Sequence, residues 1–109
     1  MATAYKVLGQ TGDASANNVT LYTCPGSTET IVSTLVIANR EAAANTFRIA
    51  VRPDGATLAN QHYLAYDVSI AANDTLTLTL GITMDASDLL TVGASDANVS
   101  FSLFGSEIS

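Results

Sequence analysis

The chain has 109 residues, of which 13% are charged and 48% are hydrophobic, and its formal net charge is -6. Disordered segments combine low hydrophobicity with a high density of charge, so this balance predicts a folded chain. With ten Asp and Glu against four Lys and Arg, the composition excludes the basic surface that nucleic acids and anionic membranes require. The length suits a single domain over residues 1–109. The first ten residues carry one lysine and no apolar run, so we expect no signal peptide and synthesis in a cytoplasm.

Alternation of apolar and polar residues, the period of a half-buried strand, recurs along the chain. It is clearest at 46–52 (TFRIAVR), at 76–80 (LTLTL) and at 99–103 (VSFSL). Turn residues such as Pro25 with Gly26, and Pro53 with Gly55, separate the alternating runs. We therefore predict strands at 3–9, 19–23, 30–39, 45–52, 62–70, 75–82, 89–94 and 98–105.

Helical signals are weak throughout the chain. The best one, at residues 41–44 (EAAA), is only four residues long, and helix nucleation is costly. A parallel sheet needs long crossover connections, and no segment supplies one. About eight short strands without significant helix predict an all-β fold, a single antiparallel β-sandwich that is either a jelly roll or immunoglobulin-like.

Candidate chemical groups are few. Cys24 has no partner for an intrachain disulfide, and we interpret it as a small buried side chain at a strand end. His62 has an acid, Asp67, five residues later on the opposite face of a straight strand, so we interpret it as a half-exposed edge residue. Asp85 and Asp88 supply too few oxygens for calcium and are interpreted as turn residues. We therefore predict no catalytic residue, no cofactor and no metal site.

Two of the predicted strands carry apolar residues on both faces. Residues 31–37 are apolar on both sides, and Leu103 and Phe104 point in opposite directions. One small sandwich has one interior, so the second faces require cover by another copy or another partner. Arg48 and Arg52 share one predicted strand face, which suits the acidic loops of a neighbour. The candidate assembly residues are Val32, Val36, Arg48, Arg52 and Phe104.

Four segments carry a resemblance to a known family. Residues 21–40 (LYTCPGSTETIVSTLVIANR), 47–67 (FRIAVRPDGATLANQHYLAYD), 70–95 (IAANDTLTLTLGITMDASDLLTVGAS) and 99–108 (VSFSLFGSEI) together resemble small structural proteins of tailed phages. This family is common in cyanophages and other aquatic phages. Its members typically read LYTVP where this chain has Cys24, and that departure counts against thiol chemistry.

The resemblance implies a virion structural protein without enzymatic activity, made in the cytoplasm of the host bacterium. The favoured form is a capsid cement or decoration protein that self-associates as a dimer or trimer and binds the major capsid protein. A subunit of the tail, neck or baseplate is the alternative. A carbohydrate-binding module using exposed tyrosines is a further one, which the absence of tryptophan disfavours. None of these roles involves nucleic acid or a membrane.

Overall fold

The computed structural model describes residues 2–109, which form two antiparallel β-sheets packed face to face. The strands are β1 (Thr3–Thr11), β2 (Val19–Thr23), β3 (Glu29–Asn39), β4 (Asn45–Arg52), β5 (Tyr63–Ile70), β6 (Thr75–Leu78), β7 (Ile82–Met84), β8 (Leu89–Ala94) and β9 (Val99–Ile108). Short 3-10 turns occupy Pro53–Gly55 and Asn60–His62. None of the described residues forms a helix with the length and apolarity needed to cross a membrane.

The strand order identifies the type of sandwich. The first sheet runs β1-β9-β3, and both β6 and β7 pair with the free side of β3; the second sheet runs β2-β8-β4-β5. An immunoglobulin-like sandwich places its first two strands in one sheet, whereas β1 and β2 lie in opposite sheets here. This alternation between the two sheets, with β6 and β7 together filling one strand position beside β3, is the jelly-roll arrangement. The predicted all-β antiparallel sandwich is therefore confirmed, in its jelly-roll form.

The core lies between the sheets and is filled by the inward-facing residues of the central strands. Phe47 on β4 and Phe101 on β9 meet across the interior in an edge-to-face contact, with ring centroids 6.5 Å apart. Aromatic pairs of this geometry add about 0.5–1.5 kcal/mol beyond the burial of their area. The other large, fully buried side chains include Leu35, Ile37, Ile49, Leu90, Val92 and Leu103. The interior of the sandwich is thus closed by this chain alone.

Two predicted strands differ from the structure by more than two residues at a boundary. The predicted strand 75–82 is split into β6 and β7, because Gly81 takes a left-handed backbone with φ of +62° and turns the chain. The last strand continues to Ile108 instead of ending at 105. Ile108 pairs with Thr3 on one side and Glu29 on the other, so hydrogen bonds from two neighbours extend β9.

A β-bulge in β3 changes which of its side chains face the core. The pairing of β3 with β9 steps from Val32 opposite Gly105 to Thr34 opposite Phe104, which leaves Ser33 as an extra residue. An extra residue reverses the inside–outside alternation that follows it.

The prediction that Val32 belongs to an assembly surface is therefore wrong. Val32 is fully buried, and its neighbour Ile31 is 43% exposed on the outer face. Beyond the bulge, Leu35 faces the core and Val36 faces outward. A regular two-residue period would have placed Val32 and Val36 on the same face.

Candidate assembly surface

The outer face of the first sheet carries a contiguous apolar surface. Tyr5 and Val7 of β1 are 85% and 48% exposed, Ile31 of β3 is exposed, and Phe104 of β9 is half-buried. Ser106 pairs with both Tyr5 and Ile31, and Val7 pairs with Phe104, so the four apolar side chains occupy adjacent rows. We call Tyr5, Val7, Ile31 and Phe104 the outer apolar surface.

A groove of about 490 Å³ runs between these side chains. Its lining includes the small residues Ser33, Gly105 and Ser106. Gly105 is required by close packing, because a Cβ atom there would lie 2.2 Å from the carbonyl oxygen of Ile31. The Ser33 hydroxyl donates to the carbonyl oxygen of Phe104 at 3.1 Å. The surface therefore combines a protruding aromatic ring with an adjacent groove, the two shapes that a self-complementary contact needs.

Lys6 and Glu107, beside this surface, form an ion pair within the chain. Lys6 Nζ lies 3.0 Å from Glu107 Oε1, and the other carboxylate oxygen accepts a hydrogen bond of 2.5 Å from the Tyr22 hydroxyl. The same hydroxyl lies 2.8 Å from Thr30 Oγ1. The hydrogen bond from Tyr22, and then the one from Lys6, hold the pKa of Glu107 below its ordinary value, while burial raises the pKa of Tyr22. An incoming partner thus meets no uncompensated charge from Lys6 or Glu107.

Two of the sequence-predicted assembly residues lie on this face. Phe104 is part of the outer apolar surface, and Val36 is half-buried further along the outer face of β3. Sequence reasoning missed Tyr5, Val7 and Ile31. For Tyr5 and Val7, the signal in the sequence was their alternate positions in the predicted strand 3–9, which place both side chains on one face.

Arg48 and Arg52 lie on the other sheet and are not brought together with the apolar residues. Arg48 Nε donates to Asp67 Oδ1 at 2.7 Å, and its guanidinium lies 4.1 Å from the centre of the Tyr66 ring. Arg52 Nε donates to the carbonyl oxygen of Ala56 at 2.7 Å. Both guanidinium groups therefore already have partners within the chain.

The remaining candidates have structural environments. Cys24 is fully buried directly after β2, with Sγ 3.3 Å from the carbonyl oxygen of Thr28. This agrees with its prediction as a small buried side chain at a strand end. His62 is buried, contrary to the half-exposed position predicted for it. It ends a 3-10 turn, and its Nδ1 accepts the backbone N–H of Ala59 at 3.0 Å. This turn folds the histidine inward, which a straight strand from residue 62 would not do.

The acidic turns bind their own backbone. The two carboxylate oxygens of Asp88 accept hydrogen bonds from the N–H groups of Asp54 and Asp85, at 2.8 and 2.9 Å. The predicted turn role of Asp85 and Asp88 is confirmed. Within residues 2–109, no three His, Cys, Asp or Glu side chains are grouped so as to hold a metal ion.

No protein-family model and no curated protein sequence matches the chain. Among solved structures, a protein of infectious bursal disease virus, Gx strain, aligns with 97% of this chain and 32% of its own, at 15% identity and a TM-score of 0.55. A protein from the T13 viral particle of the same virus gives 14% identity and a TM-score of 0.56, covering 97% of this chain and 30% of its own. A pentameric capsid protein from metagenomic phage sequences aligns with 96% of this chain and 66% of its own, at 23% identity and a TM-score of 0.30.

The chain thus spans about a third of the length of the two bursal disease virus proteins that it matches. At these identities, the likeness to those two proteins is one of fold. Its structural neighbours are proteins of viral particles.

Proposed function

We propose that this protein is a non-enzymatic structural subunit of a phage virion. Its specific form is a capsid cement or decoration protein that self-associates and binds the major capsid protein. The observation that carries the proposal is the outer apolar surface, which lies outside a sandwich whose interior is already filled. The jelly-roll fold, which proteins of viral particles share, supports the same class. So does the resemblance of residues 21–108 to tailed-phage structural proteins.

Burial of this surface contributes favourably to association. Full burial of a large apolar side chain contributes about 1.5–3 kcal/mol, and part of this remains to be gained at Val7, Ile31 and Phe104, which are about half-buried in the single chain. Two copies that bury the same surface against each other double this contribution. The cost of bringing two proteins together is about 4–15 kcal/mol. A two-fold contact, in which the Tyr5 ring of each copy enters the groove of the other, is therefore the arrangement that buries most of this surface.

The distribution of charge also affects contact between copies. The net charge of -6 makes two copies repel each other at long range. Lys6 pairs with Glu107, whereas Glu29, Asp85 and Asp88 line a pocket together with Ile31. Contact through the outer apolar surface therefore has to overcome repulsion between these carboxylates.

The number of copies in the virion tests the proposed place in the particle. In purified virions, quantitative mass spectrometry or an electron-microscopy reconstruction should show many copies, in a fixed ratio to the major capsid protein and on the outside of the shell. A few copies at one vertex would identify a tail, neck or baseplate subunit instead. Absence of the chain from the virion would contradict the structural role altogether.

A further inference from the structure

A second surface feature lies on the outer face of the second sheet, away from the outer apolar surface. Asn60, Tyr63 and Tyr66 line an open pocket of about 260 Å³ there. This volume is below the range of about 300–1,000 Å³ that drug-sized ligands occupy. The pocket therefore suits a ligand the size of a single small ring.

The Tyr66 ring in this pocket is exposed and at the same time held in place. It is 57% exposed, yet the Arg48 guanidinium stacks 4.1 Å from its centre. The ring of Tyr63 meets it at 86°, with centroids 4.9 Å apart. Since the core is filled by other residues, burial does not account for this positioning. An exposed ring that is already immobilised loses little conformational entropy when a ligand stacks on it.

The backbone beside Tyr66 is strained. Asp67 adopts a left-handed conformation with φ of +51° in the middle of β5. Pairing between β4 and β5 shifts register across Arg48 and again between Ile49 and Ala50. The Asp67 carboxylate binds Arg48 through both oxygens, at 2.7 and 3.3 Å. Strained non-glycine residues persist where their surroundings hold them, and they cluster at functional sites.

The chemistry of the pocket points to a neutral ligand. Arg48 and Asp67 compensate each other, so the pocket offers no free charge to a phosphate or an ammonium group. Its lining offers an aromatic ring and the exposed amide of Asn60, and the Arg48–Asp67 ion pair lies beside Tyr66. A sugar ring combines an apolar C–H face, which packs on an aromatic ring, with hydroxyl groups at its edge, which bind amides and carboxylates.

We propose that this pocket binds one pyranose ring of a neutral carbohydrate, stacked on Tyr66. Asn60 and the Arg48–Asp67 pair bind its hydroxyl groups. Tyr63 acts as a positioning residue that fixes the angle of the Tyr66 ring. This inference goes beyond the proposed structural role and does not depend on it.

The test is a nuclear magnetic resonance titration of the full chain with glucose, galactose, mannose and N-acetylglucosamine. At least one sugar should produce saturable shifts of backbone resonances within residues 60–67. Tyr66→Ala should weaken binding by about tenfold or more, whereas Tyr66→Phe, which keeps the ring, should retain it. Thr79→Ala is the control, because it removes an exposed side chain outside both this pocket and the outer apolar surface and should leave the affinity unchanged.

Asn60→Ala provides a second probe if Tyr66→Ala disturbs folding, because Asn60 is exposed. It should weaken binding while the rest of the spectrum stays the same. The proposal is overturned if none of the four sugars causes saturable shifts at residues 60–67. It is equally overturned if folded variants lacking Tyr66 or Asn60 bind as tightly as the original chain.

Discussion

Gly105 lines the groove of the outer apolar surface and lies on β9, where it pairs with Val32 of the neighbouring strand β3. A Cβ atom at this position would lie 2.2 Å from the Ile31 carbonyl oxygen, so any side chain requires a shift of the backbone. We expect Gly105→Ala to lower the free energy of unfolding by about 1–3 kcal/mol, measured by urea denaturation. Gly26→Ala is the control, because a Cβ there meets no atom within 4 Å. Equal effects of the two substitutions would contradict this packing.

Tyr22 joins the second sheet to the first through its hydroxyl group. The hydroxyl contacts Glu107 of β9 and Thr30 of β3, so one side chain of β2 links two strands of the opposite sheet. We expect Tyr22→Phe to reduce the free energy of unfolding by about 1–3 kcal/mol, because the buried partners lose their hydrogen bond. The exposed ring of Tyr5 provides the control, since Tyr5→Phe should change stability by less than about 0.5 kcal/mol.

The same contact makes stability depend on acid pH. The pKa of Glu107 is lowered in the folded chain, mainly by Tyr22 and then by Lys6. The folded state thus holds the proton less tightly than the unfolded state. The stabilisation is present above the ordinary pKa of 4.5 and is lost as the pH falls through the lower, folded value.

Denaturation midpoints measured across this pH range should therefore fall on acidification, and less steeply in Tyr22→Phe than in the original chain. Parallel pH profiles for the two proteins would show that the hydroxyl group does not control Glu107.

At the level of elements, one extra residue in β3 determines which of its side chains face the core and which face outward. Val32 lies in the core and Val36 on the outer face, on either side of the bulge at Ser33. We expect Val32→Ala to cost about 2 kcal/mol of unfolding free energy, through lost burial and a new cavity. Val36→Ala should cost less than about 1 kcal/mol, since its side chain is half-buried. If Val36→Ala lost more unfolding free energy than Val32→Ala in the same denaturation experiment, the assignment of Val32 to the core and Val36 to the outer face would be contradicted.

Most strands could be predicted because their signals are local. Alternation and turn residues located the strands, and the apolar excess on both faces of β3 indicated a surface outside the core. The assignment of individual residues to that surface failed at Val32, because the bulge depends on how β3 pairs with β9. Likewise, the link between Tyr22 and Glu107 joins residues 85 positions apart and leaves no local signal.

At the scale of the whole molecule, the sandwich is a thin slab with two large outer faces. Its principal extents are 45, 28 and 19 Å, and the described exposed large hydrophobic residues divide between the two sides. Tyr5, Val7 and Ile31 belong to the first sheet, whereas Leu64, Tyr66 and Val68 belong to β5 of the second. The low charge content fits a chain whose apolar residues fill the core and also form outer surfaces that another chain can bury.

The measurement that tests this account most directly is sedimentation velocity of the purified chain over a range of concentrations. We predict that the chain self-associates and that the double variant Tyr5→Ser with Ile31→Ser is monomeric. The matched control, Leu64→Ser with Tyr66→Ser, removes one exposed tyrosine and one exposed aliphatic side chain from the other sheet and should keep the oligomer. A chain that stays monomeric at every concentration, or an oligomer that survives the first double variant, would contradict assembly through the outer apolar surface.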